Sequence, residues 1–216
     1  MACMAYIVKE IFATLQGEGA HSGRAAVFCR FTGCNLWSGL ESQRPQADCT
    51  FCDTDFVGTD GVNGGRYADA ENLVRVISQI WDETGAGRAQ RYVVFTGGEP
   101  LLQLDRHLID AMHRAQFEIA IESNGTILAP DGIDWICISP KPGPETIQTC
   151  GDELKLIFPQ ENMDPARFTD WAFRHFFLQP MDGPHYEEHL AETITYCRTH
   201  PQWRLSLQTH KLIGIP

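Results

Sequence analysis

From residue 91 onward, short apolar runs alternate with longer segments of helical period, and this alternation limits the chain to a βα architecture with a parallel sheet. Residues 92–95, 119–121, 135–138, 154–157, 175–178 and 205–207 read as strands. Leu73, Val74, Ile77, Ile80 and Trp81 recur at helical spacing, as do Leu104, Leu108, Met112 and Ala115, and later Leu190, Ile194 and Cys197. Polar segments follow the strands: Thr96-Gly97-Gly98-Glu99-Pro100, Glu122-Ser123-Asn124-Gly125, Ser139-Pro140-Lys141, Gln179-Pro180-Met181-Asp182 and Gln208-Thr209-His210-Lys211. Sites on such folds occupy the carboxyl ends of the strands, so these five loops should meet at one place. With 216 residues, one domain spanning 1–216 is expected. That length falls short of the roughly 250 residues of a complete (β/α)8 barrel.

The formal net charge of −11 argues against a nucleic-acid surface, which needs clustered Lys and Arg, and points to a small-molecule substrate. The first ten residues break off before any apolar signal-peptide core, and no apolar run approaches the 18 or more residues of a membrane span. A cytoplasmic protein without membrane contact is expected. Residues 38–48 and 57–67, rich in Gly, Ser, Gln and Asp, read as surface excursions.

A reducing compartment disfavours disulfides, so clustered cysteines read as metal ligands and the others as buried side chains. Cys3, Cys29, Cys137, Cys150 and Cys197 fall in the second group: Cys29 alternates with Val27 and Phe31, and Cys137 lies in an apolar strand. Cys34, Cys49 and Cys52 form the pattern C-x14-C-x2-C, and no fourth cysteine follows at ligand spacing. An iron-sulfur cluster of four irons held by three thiolates keeps one iron open, and an open position means chemistry. The alternative is a zinc site completed by Cys29 or His21, against which stands the missing second compact ligand pair. Thr96-Gly97-Gly98-Glu99-Pro100 reads either as a strand-to-helix turn or as a place where backbone without Cβ approaches an amino acid-like ligand.

Together the cysteines and the glycine motif resemble the radical S-adenosylmethionine (SAM) superfamily, whose usual spacing is C-x3-C-x2-C. Here Ser38 stands at the second cysteine's place, and 11 inserted residues (14 minus 3) delay it to Cys49. A closer resemblance rests on Thr14-Leu15-Gln16-Gly17-Glu18-Gly19, Gly23, Phe28-Cys29-Arg30-Phe31, Cys34-Asn35-Leu36, Cys49-Thr50-Phe51-Cys52-Asp53-Thr54, the Gly97-Gly98 motif, Glu122-Ser123-Asn124-Gly125 and Ser139-Pro140-Lys141. In this order they look like the 7-carboxy-7-deazaguanine synthase family. The resemblance implies an incomplete, modified βα (TIM-like) barrel with a radical SAM core. It also implies a lyase that turns 6-carboxy-5,6,7,8-tetrahydropterin into 7-carboxy-7-deazaguanine and ammonia, on the route to queuosine and related deazapurines. A 4Fe-4S cluster, SAM and Mg2+ are the implied cofactors, with a homodimer and a flavodoxin or ferredoxin as electron donor. Another radical SAM enzyme, such as a glycyl-radical activase, and a non-enzymatic zinc module are the competing readings. Gln16-Gly17-Glu18-Gly19 and Arg30 argue against the activase.

By the same resemblance Cys34, Cys49 and Cys52 hold the cluster, with Phe51 and Asp53 beside it. Gly98, Ser139, Pro140, Lys141, Gln179, Pro180, Met181 and Asp182 line SAM. Arg30, whose planar fork suits a carboxylate, is assigned to the pterin 6-carboxylate, with a surface ion pair as the alternative. Gln16 offers an amide to the pterin edge, with Leu15 and Gly17 contributing backbone and Thr96 a further contact. Thr54 is the expected Mg2+ ligand, with Asp53 or Asp55 as alternatives. The tail is expected to dock through Leu212, Ile213 and Ile215, bringing the Pro216 carboxylate to the substrate.

Overall fold

Period-two alternation gives most strands of this chain two buried faces of different chemistry. The computed structural model describes residues 5–87 and 89–216. Its strands are β1 (Tyr6–Leu15), β2 (Ala25–Phe31), β3 (Gly65–Tyr67), β4 (Arg91–Gly97), β5 (Phe117–Ser123), β6 (Trp135–Ile138), β7 (Cys150–Phe158), β8 (Ala172–Pro180) and β9 (Trp203–Leu205). They form one sheet ordered β3-β1-β2-β4-β5-β6-β7-β8-β9, parallel from β2 through β9. β3 and β9 are its free edges, so the barrel is not closed.

On one face Val93, Phe95, Ile119, Ile121, Leu154, Leu156 and Leu178 are fully buried. The helices α1 (Ala70–Glu83) and α2 (Arg106–Arg114) supply Leu73, Ile77, Leu108, Ile109 and Met112 to the core that covers β4 and β5. Asp69 and Asp105 cap these helices, accepting from the backbone N–H of Asn72 at 2.8 Å and of Leu108 at 2.9 Å. The alternate positions, such as Glu118 and Glu122, Glu153 and Lys155, or His175 and Gln179, face the other way. β5 and β7 thus turn apolar side chains outward and charged ones inward, while Val94, Ala120 and Phe177 keep part of the inner face apolar.

Several sequence expectations change here. The parallel sheet expected from residue 91 onward is present, and β1, which pairs antiparallel with both β2 and β3, is added at its edge. Residues 57–67 are no free excursion: Ile11 N–H donates to Val62 O and Gly61 N–H to Lys9 O, so this segment flanks β1 and ends as β3. Helix α3 (Tyr186–Thr199) packs on β8 and β9, yet Ile194 is exposed and only Thr193 is fully enclosed. Its contact runs partly through the Tyr196 ring, 5.3 Å from that of Phe158. Cys29 and Cys137 are buried as expected, Cys137 on the inward face beside Glu153, whereas Cys197 is half-buried and Cys150 is exposed. Cys3 lies outside the described residues. Among the described residues, no helix is long and apolar enough to cross a membrane.

Candidate active site

The inward charges of β5 and β7 converge on one ammonium. Lys155 Nζ lies 2.6 Å from a Glu18 carboxylate oxygen and 2.7 Å from one of Glu122, with its side chain almost wholly buried. Burial disfavours charge on Glu18, but the Lys155 ammonium outweighs it and holds the carboxyl down at about 2. Glu153, also beside Lys155, is pushed up by burial and accepts from Ala20 N–H at 2.9 Å. These partners carry residues 16–21 across the inner face of the sheet. Gly19 N–H donates to Ser206 Oγ at 3.0 Å, and His21 Nδ1 pairs with the Tyr92 hydroxyl at 2.8 Å. Gly19 is required here, since φ is +63° and a Cβ would lie 1.9 Å from a Glu153 oxygen.

Above this floor, Glu99 organises the loops. Fully buried, its carboxylate accepts from Leu101 N–H at 3.0 Å, Ser123 Oγ at 2.9 Å and Asn124 N–H at 2.9 Å. Asn124 Nδ2 then donates to Asn35 Oδ1 at 3.0 Å, which ties the loop after Cys34 to the ends of β4 and β5. Gly98 permits the same approach from below: a Cβ would stand 2.3 Å from Gly33 O and 2.5 Å from Cys34 Cβ. The glycines therefore make room first for the cysteine loop.

A cleft of about 420 Å³ opens over the floor. Its walls include Cys49, Cys52, Phe51, Asp53, Thr54, Gly98, Ser139, Lys141 and Gln179 through Asp182, facing Leu15, Gln16, Gly17, Arg30, Thr96 and Pro216. Cys34 and Pro140 are not on the wall; Cys34 is half-buried behind Gly98 and Pro140 is enclosed behind its loop. Cys49 and Cys52 share a hydrogen bond that pushes the Cys49 thiol up and draws Cys52 down to about 6. Burial lowers Lys141, whose Nζ donates to Ser139 O at 2.7 Å and Oγ at 2.6 Å.

Three expected contacts already have partners within the protein. Arg30 Nε donates to Glu10 Oε1 at 2.8 Å, the ion pair weighed as an alternative, although both residues line the cleft. The Gln16 amide donates to Glu122 at 3.2 Å and accepts from Glu18 N–H at 3.1 Å, which leaves it one further N–H and one further lone pair on the cleft wall. Gly17 O accepts from Thr209 N–H at 2.9 Å and Thr209 Oγ1 at 2.8 Å, which fastens the short helix α4 (Thr209–Ile213) to the end of β1.

The tail docks mainly by polar contacts, and of the three apolar residues expected to anchor it only Ile215 is half-buried. Leu212 and Ile213 are exposed, whereas Lys211 Nζ reaches Asp53 and Asp182 at 2.6 Å each, and Thr14 Oγ1 donates to Pro216 O at 2.7 Å. Glu18, Glu122, Lys155, Gln208, His210 and Lys211 also line the cleft and carried no sequence-based assignment. Charged residues at alternate positions of otherwise apolar strands are the signal that marks Glu122 and Lys155.

No protein-family model matches the chain. The chain is 62% identical to the 7-carboxy-7-deazaguanine synthase of Bordetella pertussis, over 99% of this chain and 100% of that one. It is 54% identical to the enzyme of that name from Nitratidesulfovibrio vulgaris, over 99% and 100%. The chain belongs to the 7-carboxy-7-deazaguanine synthase family. The crystal structure of QueE from Escherichia coli shares the fold, with a TM-score of 0.71 at 28% identity over 96% of this chain and 95% of that chain.

A radical SAM enzyme of this family uses a 4Fe-4S cluster and SAM, and the donor set suits the cluster. Cys34, Cys49 and Cys52 are free thiols, two of them on the cleft wall. Thiolate sulfur is the donor that iron-sulfur clusters take. Among the described residues no three His, Cys, Asp or Glu side chains form a finished metal cage, so the loop carries the donors without preforming the site.

The floor yields a stability prediction. Lys155→Met leaves Glu18 and Glu122 without their shared counter-charge, and removing one partner of a buried ion pair costs about 3–5 kcal/mol. Glu18 has its folded pKa depressed from 4.5 to about 2, so its contribution is present above the ordinary carboxylate range and lost as pH falls through that window. In the variant Glu18 takes up a proton at higher pH, so the deficit should shrink on acidification. Urea denaturation of wild type and variant at neutral pH and near the ordinary carboxylate pKa measures this; an equal deficit at both would refute the coupling.

Proposed function

We propose that this chain converts 6-carboxy-5,6,7,8-tetrahydropterin to 7-carboxy-7-deazaguanine and ammonia in the cleft above the Lys155 floor, as a lyase of the radical SAM type. The observation that carries this reading is the convergence of two groups of residues on one cavity, the thiols with the ends of β4, β6 and β8, and the end of β1 with Arg30. When bound, the cluster and SAM would supply the radical chemistry that activates the pterin for ring contraction.

The protein's own residues bind, orient and exclude water. Cys34, Cys49 and Cys52 are the cluster ligands in this reading. Gly98, Ser139, Lys141 and residues 179–182 hold SAM, with Phe51 and Asp53 beside the cluster; Pro140 acts only by stiffening its loop. The two Nη groups of Arg30 are directed to the pterin carboxylate while Nε keeps its bond to Glu10. Gln16 offers its remaining amide donor and acceptor to the pterin edge, Leu15 and Gly17 contribute backbone, and Thr96 and the Pro216 carboxylate take the rest of the substrate. Thr54 supplies one oxygen to Mg2+, since a cation that keeps most of its waters needs few protein ligands. We further assign residues 1–216 to one domain, a homodimeric assembly, a cytoplasmic location and a flavodoxin or ferredoxin donor, the last because the cluster needs one electron per cleavage event.

Replacing Cys34, Cys49 or Cys52 with Ala should abolish the visible iron-sulfur absorption and SAM cleavage after anaerobic reconstitution. Cys29→Ser and Cys150→Ser should keep both, and loss of the cluster in Cys29→Ser would overturn the ligand assignment.

Arg30→Lys keeps the charge and loses the fork. Hydrogen bonds to charged groups are worth roughly 1.5–3 kcal/mol, so catalytic efficiency should fall about tenfold to a hundredfold while uncoupled SAM cleavage persists. A C-terminal extension that turns the Pro216 carboxylate into an amide should also weaken substrate binding with the cluster intact. Steady-state kinetics unchanged by both alterations would remove this wall from the substrate site.

Thr54→Ala should shift the Mg2+ dependence of turnover to higher concentration, because one protein oxygen is gone. A titration that overlays the wild type would pass the role to Asp53, Asp55 or solvent.

A further inference from the structure

The insertion that separates Cys34 from Cys49 folds back onto the cysteine turn that follows it. Residues Glu41–Gln46 form a 3-10 segment, and Arg44 reaches from it to the cysteine turn. Its Nη1 donates to Thr50 O and to Cys52 O, each at 3.0 Å. The guanidinium lies over the Trp37 ring, 4.0 Å from its centroid, and Glu41 grips its outer edge with a bond to Nε at 2.8 Å. Trp37 is itself held edge-on against Phe56, with centroids 5.6 Å apart. Arg44 is thus fixed by stacking on one side and by a carboxylate on the other, with its remaining donors aimed at main-chain carbonyls on both sides of Phe51.

Two consequences follow from general chemistry. One guanidinium nitrogen, Nη1, bonds the carbonyls of both residues 50 and 52 while the fork of Nε and Nη2 is anchored on Glu41, and this fixes the path of the turn on which Cys52 is carried. A cation held there also lies beside the thiolate pair, and the reduction potential of an iron-sulfur centre responds to net charge and hydrogen bonding around it. Reduction adds one electron to a centre that already bears three thiolates, so a neighbouring cation favours the reduced form. We infer that Arg44 is a positioning residue that sets the Cys49–Cys52 turn around the cluster and raises the cluster's reduction potential. The inference rests on the proposed ligation by Cys34, Cys49 and Cys52.

The test uses full-length protein reconstituted anaerobically, with dithionite as the one-electron reductant and no substrate. Midpoint potential is read from the EPR signal of the reduced cluster, and cluster retention from the rate of iron loss to a chelator. Arg44→Gln should reduce at a more negative potential by at least a tenfold change in the reduction equilibrium, 59 mV for one electron, and lose iron faster than wild type. Arg44→Lys, which restores charge without the fork, should recover most of the potential but not the retention. Failure of Arg44→Gln to take up iron, with a wild-type circular dichroism spectrum, supports the pinning role, and Arg44→Lys then carries the potential measurement. A wild-type midpoint together with wild-type retention in Arg44→Gln overturns the inference, as does an equal shift of potential in both variants. Cys49→Ala or Cys52→Ala retaining a full cluster would instead defeat the ligand reading on which it rests.

Discussion

A single buried ammonium, Lys155, is the interaction on which the inside of this molecule depends. Charges in an apolar strand are costly unless compensated, and here compensation comes from Glu122 on a neighbouring stretch of sheet and from Glu18 on the segment that follows β1. Because Glu18 must reach Lys155, residues 16–21 pass over the inner face rather than around it. The hydrogen bonds of Gly19 and Ala20 to Ser206 and Glu153, and the packing of His21 against Trp135 with ring centroids 4.0 Å apart, complete that path. Electrostatics thereby turns a curled, unclosed sheet into a vessel with a floor.

The rim has a different organiser. Glu99 accepts three hydrogen bonds in a fully buried place, and through Asn124 it fixes Asn35, one residue beyond the first cysteine. A carboxylate is suited to this position because it accepts without donating, and all three neighbours donate. Gly97 and Gly98 belong to the same arrangement, since the chain at Phe31, Gly33 and Cys34 lies where their side chains would be. The glycine motif thus serves the thiol loop before it serves any ligand.

How much of this was legible depends on whether the signal was local. The strand at residues 135–138 stands where its apolar run predicts, because flanking Asp134 and Ser139 define both ends. β1 was not recognised, since a register shift between Val8 and Glu10 breaks its alternation. β9 begins earlier than its leucines suggest, at the buried Trp203, and closes at Ser206, whose N–H donates to Leu178 O at 2.9 Å while its hydroxyl donates to Gln179 Oε1 at 2.9 Å. The site residues carried by sequence motifs largely gather in the cleft. Lys155 and Lys211 act through partners 29 to 158 positions away, and although alternation marks Lys155 as an inward charge, no local pattern encodes which partners it meets. The tail was expected to dock through apolar side chains, yet its fastening is mainly ionic and peptide-based.

The free edges of the sheet give the cleft a seam of unequal strength. Neighbouring strands within the sheet are joined by β ladders, but β9 and β1 are bridged by single contacts, such as Gly19 N–H to Ser206 Oγ and Thr209 N–H to Gly17 O, and by the ion pairs of α4. Lys211, Asp53 and Asp182 are each roughly two-fifths exposed, and ion pairs in that setting are worth at most about 1 kcal/mol. The seam can therefore part without unravelling any strand, and salt that screens those charges loosens it while leaving the Lys155 floor untouched. The weakest line in the rim and its most charged one are the same.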